Sequence, residues 1–382
     1  MRGSVVQKPK KTGRWYVVLD LGSDAYGRRK QRWHSGYRTK REAERGLTAL
    51  LSAQDSGTYV TPQRITLGEY LTDRWLPAIE DTVRPTTFDG YRRHVRLYIV
   101  PALGRVPLQA LTPDQLSTLY RQLRVSGGLN GRELSPASVA RVHATAHRAF
   151  RDAVSWGYLL RNPAAVAMKP KQRSAGSLEM RTWTAAELRA FLEYLREDRL
   201  YAAWRLAATT GMRRGEVLGL RWCDVDLAAG RVAVRQTITE AGTTLVFGEP
   251  KTGRGKRNIA LDTETVTALR AWRKLQAEER LAWGAAWQDT GMVFTREDGS
   301  MIRPDTWSFW FVRHLRMSGL PRIRFHDLRH THASLALQAG VPAKVVSERL
   351  GHATVAFTLD VYSHTIPAMH EEAAELVAAL LQ

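Results

Sequence analysis

Residues 350–364 read LGHATVAFTLDVYSH and place Tyr362 ten residues after His352. Gly351 permits a tight turn that presents His352, and Tyr362 is expected in a following helix or extended segment. A tyrosine hydroxyl, with a pKa of about 10, becomes a nucleophile only where cationic neighbours stabilise its phenolate form. Because buried structural tyrosines are far more common, Tyr362 is a candidate nucleophile only in combination with the residues that precede it.

Residues 324–334 read RFHDLRHTHAS and place His326 three residues before Arg329. That spacing is close to one helical turn, so both side chains can address a single phosphate group. Asp327 and His330 are expected to point elsewhere. The histidines of this segment could also suggest a metal site. In this interpretation they do not share a helix face and no acidic ligand recurs nearby, so no metal is predicted.

An arginine with a carboxylate one turn later occurs in residues 210–222, TGMRRGEVLGLRW. The Thr-Gly pair is expected to end one helix, and Arg213 to begin the next. Glu216, three residues on, can hold the guanidinium of Arg213. The paired N–H donors of that guanidinium then suit a phosphate. For this segment alone, an ordinary surface ion pair is an equal alternative.

Residues 248–257, GEPKTGRGKR, are predicted to form the loop of a hairpin, and the strand 258–261 leaves it. A lysine on such a tip can enter a minor groove and deliver a proton. Lys251 is the first candidate and Lys256 the second. Most lysines at such positions are only solvated, so this motif is the weakest of the four.

The charge of the chain indicates a polyanionic partner. Its 382 residues contain 57 Lys and Arg against 37 Asp and Glu, a formal net charge of +20. Residues 1–60 hold 13 basic against 5 acidic residues (+8), residues 61–180 hold 17 against 9 (+8), and residues 181–382 hold 27 against 23 (+4). This distribution predicts two basic modules that grip a nucleic acid backbone and a third that carries the chemistry.

An anionic membrane surface would also explain the charge. However, we recognise no lipidation motif, no basic amphipathic anchor, no secretory signal and no apolar run of membrane-spanning length in the sequence. The expectation is therefore a soluble intracellular protein without a membrane partner.

The first module, residues 1–60, is predicted to be a small α+β domain, a short antiparallel sheet plus one helix. Strand-like alternation flanks a turn at residues 22–24, and Thr39 with Glu42 forms a capping box before the helix. Basic and aromatic side chains on strands suit insertion into a DNA groove, with a basic structural subdomain as the alternative. The candidate DNA-binding residues here are Arg28, Arg29, Lys30 and Arg32.

The second module, residues 61–165, is predicted to be an all-α helical bundle. Its four helical patterns begin at Thr66, Pro85, Thr112 and Ser135. Arginines on their exposed faces are candidate DNA contacts, with a solvated arginine face as the alternative. These candidates are Arg92, Arg93, Arg96, Arg141 and Arg148, with Arg151 beside them.

Residues 166–180 lack periodicity and predict an interdomain linker. The third module, residues 181–382, is predicted to be mostly α with a small antiparallel sheet, which includes a hairpin over residues 231–261. The single cysteine, Cys223, excludes an intramolecular disulfide and is expected to be buried beside Trp222.

Taken in order, these motifs resemble the catalytic pattern of the tyrosine recombinases, in particular integrases of the phage and integrative-element type. The matching residues are Arg213, Lys251, His326, Arg329, His352 and Tyr362. The resemblance covers the whole chain, because such integrases consist of an arm-type DNA-binding domain, a helical core-binding domain and a catalytic domain. It assigns these to residues 1–60, 61–165 and 181–382.

The resemblance implies that Tyr362 attacks a scissile phosphodiester, forms a 3′-phosphotyrosyl link and releases a 5′-hydroxyl that later attacks a partner strand. Arg213 and Arg329 would neutralise the non-bridging phosphate oxygens, and Glu216 would brace Arg213.

It also implies that His326 assists deprotonation of Tyr362, that His352 donates a hydrogen bond to the phosphate, and that Lys251 protonates the leaving oxygen. Because the energy of the broken bond is kept in the phosphotyrosine and cations act at the phosphate, no ATP, metal or other cofactor is implied.

The implied function is site-specific recombination, which integrates and excises a mobile element. The implied partners are double-stranded DNA attachment sites and further copies of the chain in a tetramer on DNA, together with a host DNA-bending factor and an excision factor. The implied location is the bacterial cytoplasm, at the nucleoid. A short amphipathic helix predicted after Tyr362 either covers its own core or docks on a neighbouring protomer.

Three alternatives stay open at this point. A type IB topoisomerase would share the chemistry, and a non-catalytic DNA-binding architectural protein would share the charge. A metal-dependent nuclease is the third.

Overall fold

The computed structural model describes residues 3–9, 13–23, 26–56, 59–128, 131–169, 181–249, 255–362 and 378–379. The chain divides into two units, Met1–Arg173 and Ser174–Gln382. In the described ranges, none of the helices combines the length and the apolar character that crossing a membrane requires.

The first unit begins with an antiparallel sheet whose three strands lie in chain order. Val17 and Leu19 of the middle strand are fully buried, and a helix packs on the sheet. A capping box between Thr39 and Glu42 starts this helix, as the sequence predicts. The elements are β1 (Gly3–Lys8), β2 (Arg14–Ser23), β3 (Arg29–Tyr37) and α1 (Lys40–Asp55).

Helices make up most of the rest of the described part of this unit, which confirms the predicted helical bundle. Three of the four predicted helix starts carry side-chain caps, at Thr66, Thr112 and Ser135, and the first two are capping boxes. The fourth predicted start is also confirmed, because a helix begins at Pro85. The helices are α2 (Leu67–Glu69), α3 (Leu76–Ile79), α4 (Pro85–His94), α5 (Val100–Leu103), α6 (Pro113–Ser126) and α7 (Pro136–Ser155). Short 3-10 turns lie at Glu80–Thr82, Leu108–Ala110 and Pro163–Ala165.

Two π-helical turns, Tyr70–Trp75 and Val95–Ile99, were not predicted from the sequence. Each leads directly into a helix whose second residue is a proline, Pro77 in α3 and Pro101 in α5. In both, the N–H of the residue after the turn donates to the carbonyl five residues earlier. Because proline lacks an N–H and crowds the carbonyl four residues before it, the wider turn accommodates proline without ending the helix.

The second unit is mostly helical, as the sequence predicts, and it contains two small sheets where one was predicted. Strands β4 (Val225–Asp226), β5 (Arg231–Val234) and β8 (Arg257–Ala260) form one antiparallel sheet in the order β4-β5-β8, and β6 (Thr237–Ala241) and β7 (Thr244–Gly248) form a separate hairpin. The helices are α8 (Ala185–Tyr194), α9 (Tyr201–Thr210), α10 (Arg214–Leu218), α11 (Thr263–Trp283), α12 (Pro304–Ser318), α13 (Phe325–Gln338), α14 (Ala343–Leu350) and α15 (Val355–Tyr362).

An aromatic core holds α13 in place. Trp204 of α9 stacks on Trp307 of α12 with ring centroids 3.6 Å apart. Phe325, the first residue of α13, meets the edges of Trp307 and Phe311 at centroid distances of 6.0 and 5.4 Å. The start of α13, where the His-x-x-Arg segment begins, is thus anchored by buried rings.

The predicted hairpin over residues 231–261 is more complex in the structure, because β5 pairs with β8 and the β6–β7 hairpin lies between them in sequence. Lys251 and its neighbours 250–254 lie outside the described residues. Residues 170–180 of the predicted linker, and all but two residues of the tail beyond Tyr362, also lie outside them.

The expected burial of Cys223 is wrong, because its side chain is exposed. Cys223 lies in a 3-10 turn, Trp222–Asp224, in which Asp224 is the buried residue. Arg221 donates to the Asp224 carboxylate at 2.6 Å, and this ion pair fixes which side of the turn faces inward.

Candidate active site

Arg213 is positioned by the sharp turn between α9 and α10. Gly211 ends α9 with a φ of 65°, in the left-handed region that favours glycine. A side chain at this position would also meet Leu350 and His332, so the close approach of the two segments requires glycine. Two residues later, Arg213 occupies the N-cap of α10.

Glu216 joins two arginines and is itself almost fully buried. Its carboxylate accepts a bond from Arg213 Nη1 at 2.7 Å and another from the Arg213 backbone N–H at 2.9 Å. Arg257, at the start of β8, donates to both carboxylate oxygens, to Oε2 at 2.8 Å and to Oε1 at 3.2 Å. Burial alone would raise the pKa of Glu216, but Arg257 and Arg213 outweigh burial and hold that pKa below its usual value.

The carboxyl end of α14 receives three arginine side chains on three successive backbone carbonyls. Arg257 Nε donates to the carbonyl of residue 349 at 2.6 Å, and Arg329 Nη2 to that of residue 350 at 2.6 Å. Arg213 Nη2 approaches the carbonyl of residue 351 at 3.5 Å. The last carbonyls of a helix lack intrahelical partners and carry the negative end of its dipole, so this end attracts guanidinium groups.

Arg329 is the most enclosed of these cations, with only 3% of its surface exposed. Its Nη1 donates to the Gly211 carbonyl at 2.8 Å, so it ties the end of α9 to the end of α14. Burial, and then the charge of Arg213, lower the pKa of Arg329 to about 9. An anion beside these two guanidiniums would relieve both effects.

His352 follows the αL turn at Gly351, which has a φ of 67°, as the sequence predicts. Its Nδ1 lies 2.8 Å from the hydroxyl of Thr358, a fully buried residue of α15. Burial and then the charge of Arg329 lower the pKa of His352 to about 3, so the ring is neutral near pH 7. With Nδ1 held by Thr358, Nε2 is the nitrogen available to a ligand.

Tyr362, the last residue of α15, is fully buried, and its hydroxyl lies 2.7 Å from Nδ1 of His330. The expectation that His330 points elsewhere is therefore wrong. His330 comes one turn after His326, and the two rings lie perpendicular with centroids 5.0 Å apart. The physical reason is that residues four apart on a helix also share a face, so His330 lies on the same side of α13 as His326.

His326 is exposed at the start of α13. Desolvation of its ring, and then the charges of Arg329 and Arg213, lower its pKa. Asp327 does point away from His326 and Arg329, as expected. Its carboxylate accepts hydrogen bonds from Arg324 and caps the start of α13. Within the described ranges, no group of three or more His, Cys, Asp or Glu is placed to hold a metal ion.

The second unit therefore brings Arg213, Arg329, His326, His352 and Tyr362 together around α13 and the α14–α15 turn, with Glu216 behind Arg213. Lys251, the remaining predicted member, lies outside the described residues.

The structure adds two residues that the sequence analysis missed, His330 and Arg257. Arg257 lies in a charged run, residues 254–257, in which it looks no different from Lys256. Strand alternation could have identified Arg257 as an inward-facing residue, because Arg257 lies on the same side of β8 as the buried Ile259. Lys256 instead pairs with Glu249 at the surface.

Some of the basic residues predicted to contact DNA in the first unit are already engaged within the protein. Arg29 pairs with Asp20 at 2.6 Å, and Arg92 pairs with Asp89 at 2.6 Å. Two more pairs join Arg148 and Arg151 to Asp152 at 3.4 and 3.2 Å. Arg32 donates to the carbonyl of residue 62 at 2.5 Å.

The remaining candidates lie at the surface. Arg28 is exposed, and within the described ranges Lys30, Arg93, Arg96 and Arg141 are exposed and form no ion pair. Two of these lie close together where α4 meets α7. His94 of α4 lies 2.8 Å from the Thr145 hydroxyl of α7, and the nearby charges of Arg93 and Arg141 add to burial in lowering the pKa of His94. We call Arg93 and Arg141 the arginine pair.

Three known protein families match successive parts of the chain. Residues 181–368 match the phage integrase family, residues 5–53 match an Arm DNA-binding domain, and residues 66–124 match the N-terminal SAM-like domain of phage integrases.

Two curated relatives match over nearly the full chain. A tyrosine recombinase XerC-like protein of Caldanaerobacter subterraneus subsp. tengcongensis is 29% identical, with 96% of both chains covered. The ICEBs1 integrase of Bacillus subtilis is 26% identical, with 98% of this chain and 99% of that protein covered.

Solved structures share the fold. The Tn1549 transposon integrase in complex with a circular intermediate DNA superposes with a TM-score of 0.63 at 19% identity, over 82% of this chain and 99% of that one. A lambda integrase dimer bound to a COC′ core site gives a TM-score of 0.55 at 18% identity, over 94% of both chains.

Together, the fold and the comparisons define an enzyme that transfers DNA strands. The chain belongs to the tyrosine recombinase family, and it is an integrase of the phage and integrative-element type.

The contacts of Arg257 predict a large effect of its removal. Arg257→Ala leaves Glu216 buried with one cationic partner fewer, so we expect the free energy of unfolding to fall by about 3–5 kcal/mol. The adjacent Lys256→Ala removes only an exposed ion pair and is expected to change that free energy by less than about 0.5 kcal/mol. Urea unfolding of the two variants measures both, and equal effects would contradict the bracing role of Arg257.

The neutral histidines of the site predict acid sensitivity. The pKa is lowered to about 4 for His330, and to about 3 for His332 and His352, in each case mainly by burial. The unfolded chain, with histidine pKa values of about 6.5, binds more protons below that pH, so stability falls as the pH drops from about 6.5 towards 4. Each histidine contributes a slope approaching about 1.4 kcal/mol per pH unit.

Urea unfolding at several pH values between about 7 and 5 tests this prediction. In His332→Leu, the slope of unfolding free energy against pH should decrease by about one histidine's share. If the unfolding free energy stays constant over this pH range, the folded protein does not lower the pKa values of these histidines.

Proposed function

We propose that this integrase cleaves and rejoins DNA at attachment sites through a covalent link between Tyr362 and a DNA 3′-phosphate, and so integrates and excises a mobile element. The proposal is carried by two neighbouring residues of α13. Arg329 binds the carbonyl at the end of α14, and His330 lies within hydrogen-bond distance of the Tyr362 hydroxyl. A phosphate held by the arginines would thus lie beside a tyrosine nucleophile.

In the cleavage step, the Tyr362 oxygen attacks the scissile phosphorus and the bond from phosphorus to the 5′-oxygen breaks. Arg213 and Arg329 stabilise the charge that develops on the non-bridging oxygens, and His352 binds the same phosphate through Nε2. Both arginines are held in advance by carbonyls and by Glu216, so little reorganisation is needed when the charge develops.

The leaving 5′-oxygen requires a proton, which we assign to Lys251 from its place in the sequence pattern. In the rejoining step, the 5′-hydroxyl of a partner strand attacks the phosphotyrosine and releases Tyr362. Since one phosphodiester is exchanged for another through an ester of similar energy, neither ATP nor another cofactor takes part in the proposed cycle.

We assign the other parts of the chain to DNA capture. Residues 1–60 would bind arm-type sites and residues 61–165 the core site, with residues 166–180 as the linker to the catalytic domain at 181–382. The net charge of the first 180 residues and the exposed arginine pair of the helical bundle support this division.

The substrate is double-stranded DNA at an attachment site, and the working assembly is a tetramer that holds two duplexes. A lambda integrase tetramer bound to a Holliday junction, with a TM-score of 0.56 at 19% identity, supports this assembly. A host DNA-bending factor and an excision factor complete the proposed set of partners, and the place of action is the cytoplasm at the nucleoid.

Replacement of the nucleophile tests the proposal. On a nicked suicide substrate, the chain is expected to form a covalent protein–DNA adduct that survives denaturation and EDTA, whereas Tyr362→Phe forms none. Tyr194→Phe, at an exposed position of the same unit, is the matched control and should behave as wild type.

An undiminished adduct in Tyr362→Phe would exclude Tyr362, and adduct formation that EDTA abolishes would favour a metal-dependent nuclease. A wild-type chain that binds DNA but never forms an adduct would be an architectural protein. Relaxation of supercoiled DNA without strand exchange would identify a type IB topoisomerase.

The arginine pair predicts a change in the salt dependence of DNA binding. If Arg93 and Arg141 each contact one phosphate, the double variant Arg93→Ala/Arg141→Ala should reduce the slope of log affinity against log salt by about 2. Arg92→Ala is the matched control and should change the slope less, because Asp89 already neutralises Arg92. Gel-shift titrations at several salt concentrations measure the slope, and an unchanged slope in the double variant would remove the pair from the DNA interface.

A further inference from the structure

The contact between His330 and Tyr362 suggests a role for His330 that the sequence pattern does not assign. The Tyr362 hydroxyl and His330 Nδ1 are 2.7 Å apart, and the ring centroids are 5.7 Å apart. No hydrogen bond joins His326 to Tyr362 in the described part of the chain, although His326 is the histidine expected to assist deprotonation. Among the described residues, the histidine in contact with the reacting oxygen is therefore His330.

The surroundings set the protonation states of both groups. Burial raises the pKa of Tyr362 to about 12, so the phenol does not ionise by itself near neutral pH. Burial, followed by the neighbouring His326, lowers the pKa of His330 to about 4, so its imidazole is neutral and Nδ1 can accept a hydrogen bond. The geometry, a hydroxyl in hydrogen-bond contact with a neutral imidazole, is the one that general-base catalysis requires. An anionic phosphate bound beside His330 would raise its pKa towards the range in which the ring can hold a proton.

We propose that Nδ1 of His330 receives the proton of Tyr362 during strand cleavage and returns it during rejoining. This inference rests on the proposed function, in which Tyr362 is the nucleophile. As the bond from the Tyr362 oxygen to phosphorus forms, the O–H bond breaks, its electron pair stays on oxygen, and the proton passes to Nδ1. The bond from phosphorus to the 5′-oxygen breaks, and that oxygen takes its proton from a separate donor, Lys251 in the proposed mechanism.

The position of His330 on α13 gives this step its geometry. His330 is adjacent in sequence to Arg329, whose guanidinium is fixed by the carbonyls of residues 211 and 350. The phosphate-binding cation and the proton acceptor thus share one stretch of helical backbone. A displacement of α13 would move both together, so their spacing does not depend on the conformation of a loop.

The test compares two variants, His330→Ala and His330→Asn, on two suicide substrates. One substrate has a normal scissile phosphodiester. The other has sulfur in place of the bridging 5′-oxygen, and its thiolate leaves without needing a proton. Lys251→Ala is the reference for a defect on the leaving side, and His326→Asn tests the other histidine. Noncovalent DNA binding and the unfolding midpoint are measured for every variant.

We expect both His330 variants to bind DNA as wild type does and to cleave the normal substrate about 100-fold more slowly or worse. The defect should persist on the sulfur substrate, because it lies on the nucleophile side, whereas Lys251→Ala should recover there. Asparagine can accept the hydroxyl's hydrogen bond but cannot take up its proton, so His330→Asn should remain slow even if it restores the stability lost in His330→Ala.

Three results would overturn the proposal. Wild-type cleavage by His330→Asn would show that a hydrogen bond suffices, and recovery of the His330 variants on the sulfur substrate would place His330 on the leaving side. Loss of cleavage in His326→Asn with normal cleavage in His330→Asn would return the role to His326. If wild type itself forms no adduct on either substrate, the proposed function fails, whereas an adduct formed equally by wild type and the His330 variants contradicts this inference alone.

Discussion

The arrangement of the site depends on the carboxyl end of α14, where three successive carbonyls meet three guanidinium groups. Arg257, Arg329 and Arg213 come from β8, α13 and the α9–α10 turn, and they reach residues 349, 350 and 351 in that order. Helix ends leave carbonyls without intrahelical partners, and here the arginines satisfy them in place of water. Because each arginine belongs to a different element, the end of one short helix sets the relative positions of all of them.

This arrangement concentrates positive charge where little solvent can screen it. Among the described groups in contact with the three arginines, Glu216 is the one carboxylate, and it binds two of them. The carbonyl dipoles offset part of the remaining repulsion, but the lowered pKa of Arg329 shows that the protonated guanidinium is still disfavoured by burial and by Arg213. A phosphodiester between the arginines would remove that imbalance. The site is therefore organised for an anion before the anion arrives, which is what electrostatic catalysis requires.

Much of this could be predicted from the sequence, and the exceptions have physical reasons. Arg213 with Glu216 and His326 with Arg329 are local pairs, one helical turn apart, so spacing alone indicates that they act together. Arg257 reaches Glu216 from 41 residues away, and strand pairing, which spacing does not reveal, brings it there. The order of motifs and the capping boxes indicate the fold. The π-helical turns before Pro77 and Pro101 have a weaker sequence signal, a single proline within each helical pattern.

The case of His330 shows how one helix can serve two parts of a reaction. Successive residues on a helix point about 100° apart, so Arg329 and His330 face different neighbours although they are adjacent. Arg329 turns to one carbonyl at the end of α9 and one at the end of α14, and His330 turns to the tyrosine at the end of α15. The short turn that carries His352 joins α14 to α15, so the phosphate-binding residues and the nucleophile lie on neighbouring elements. DNA that shifts α15 would change the distance from nucleophile to phosphate while the arginines stay in place, because their carbonyl partners belong to α9 and α14 and not to α15.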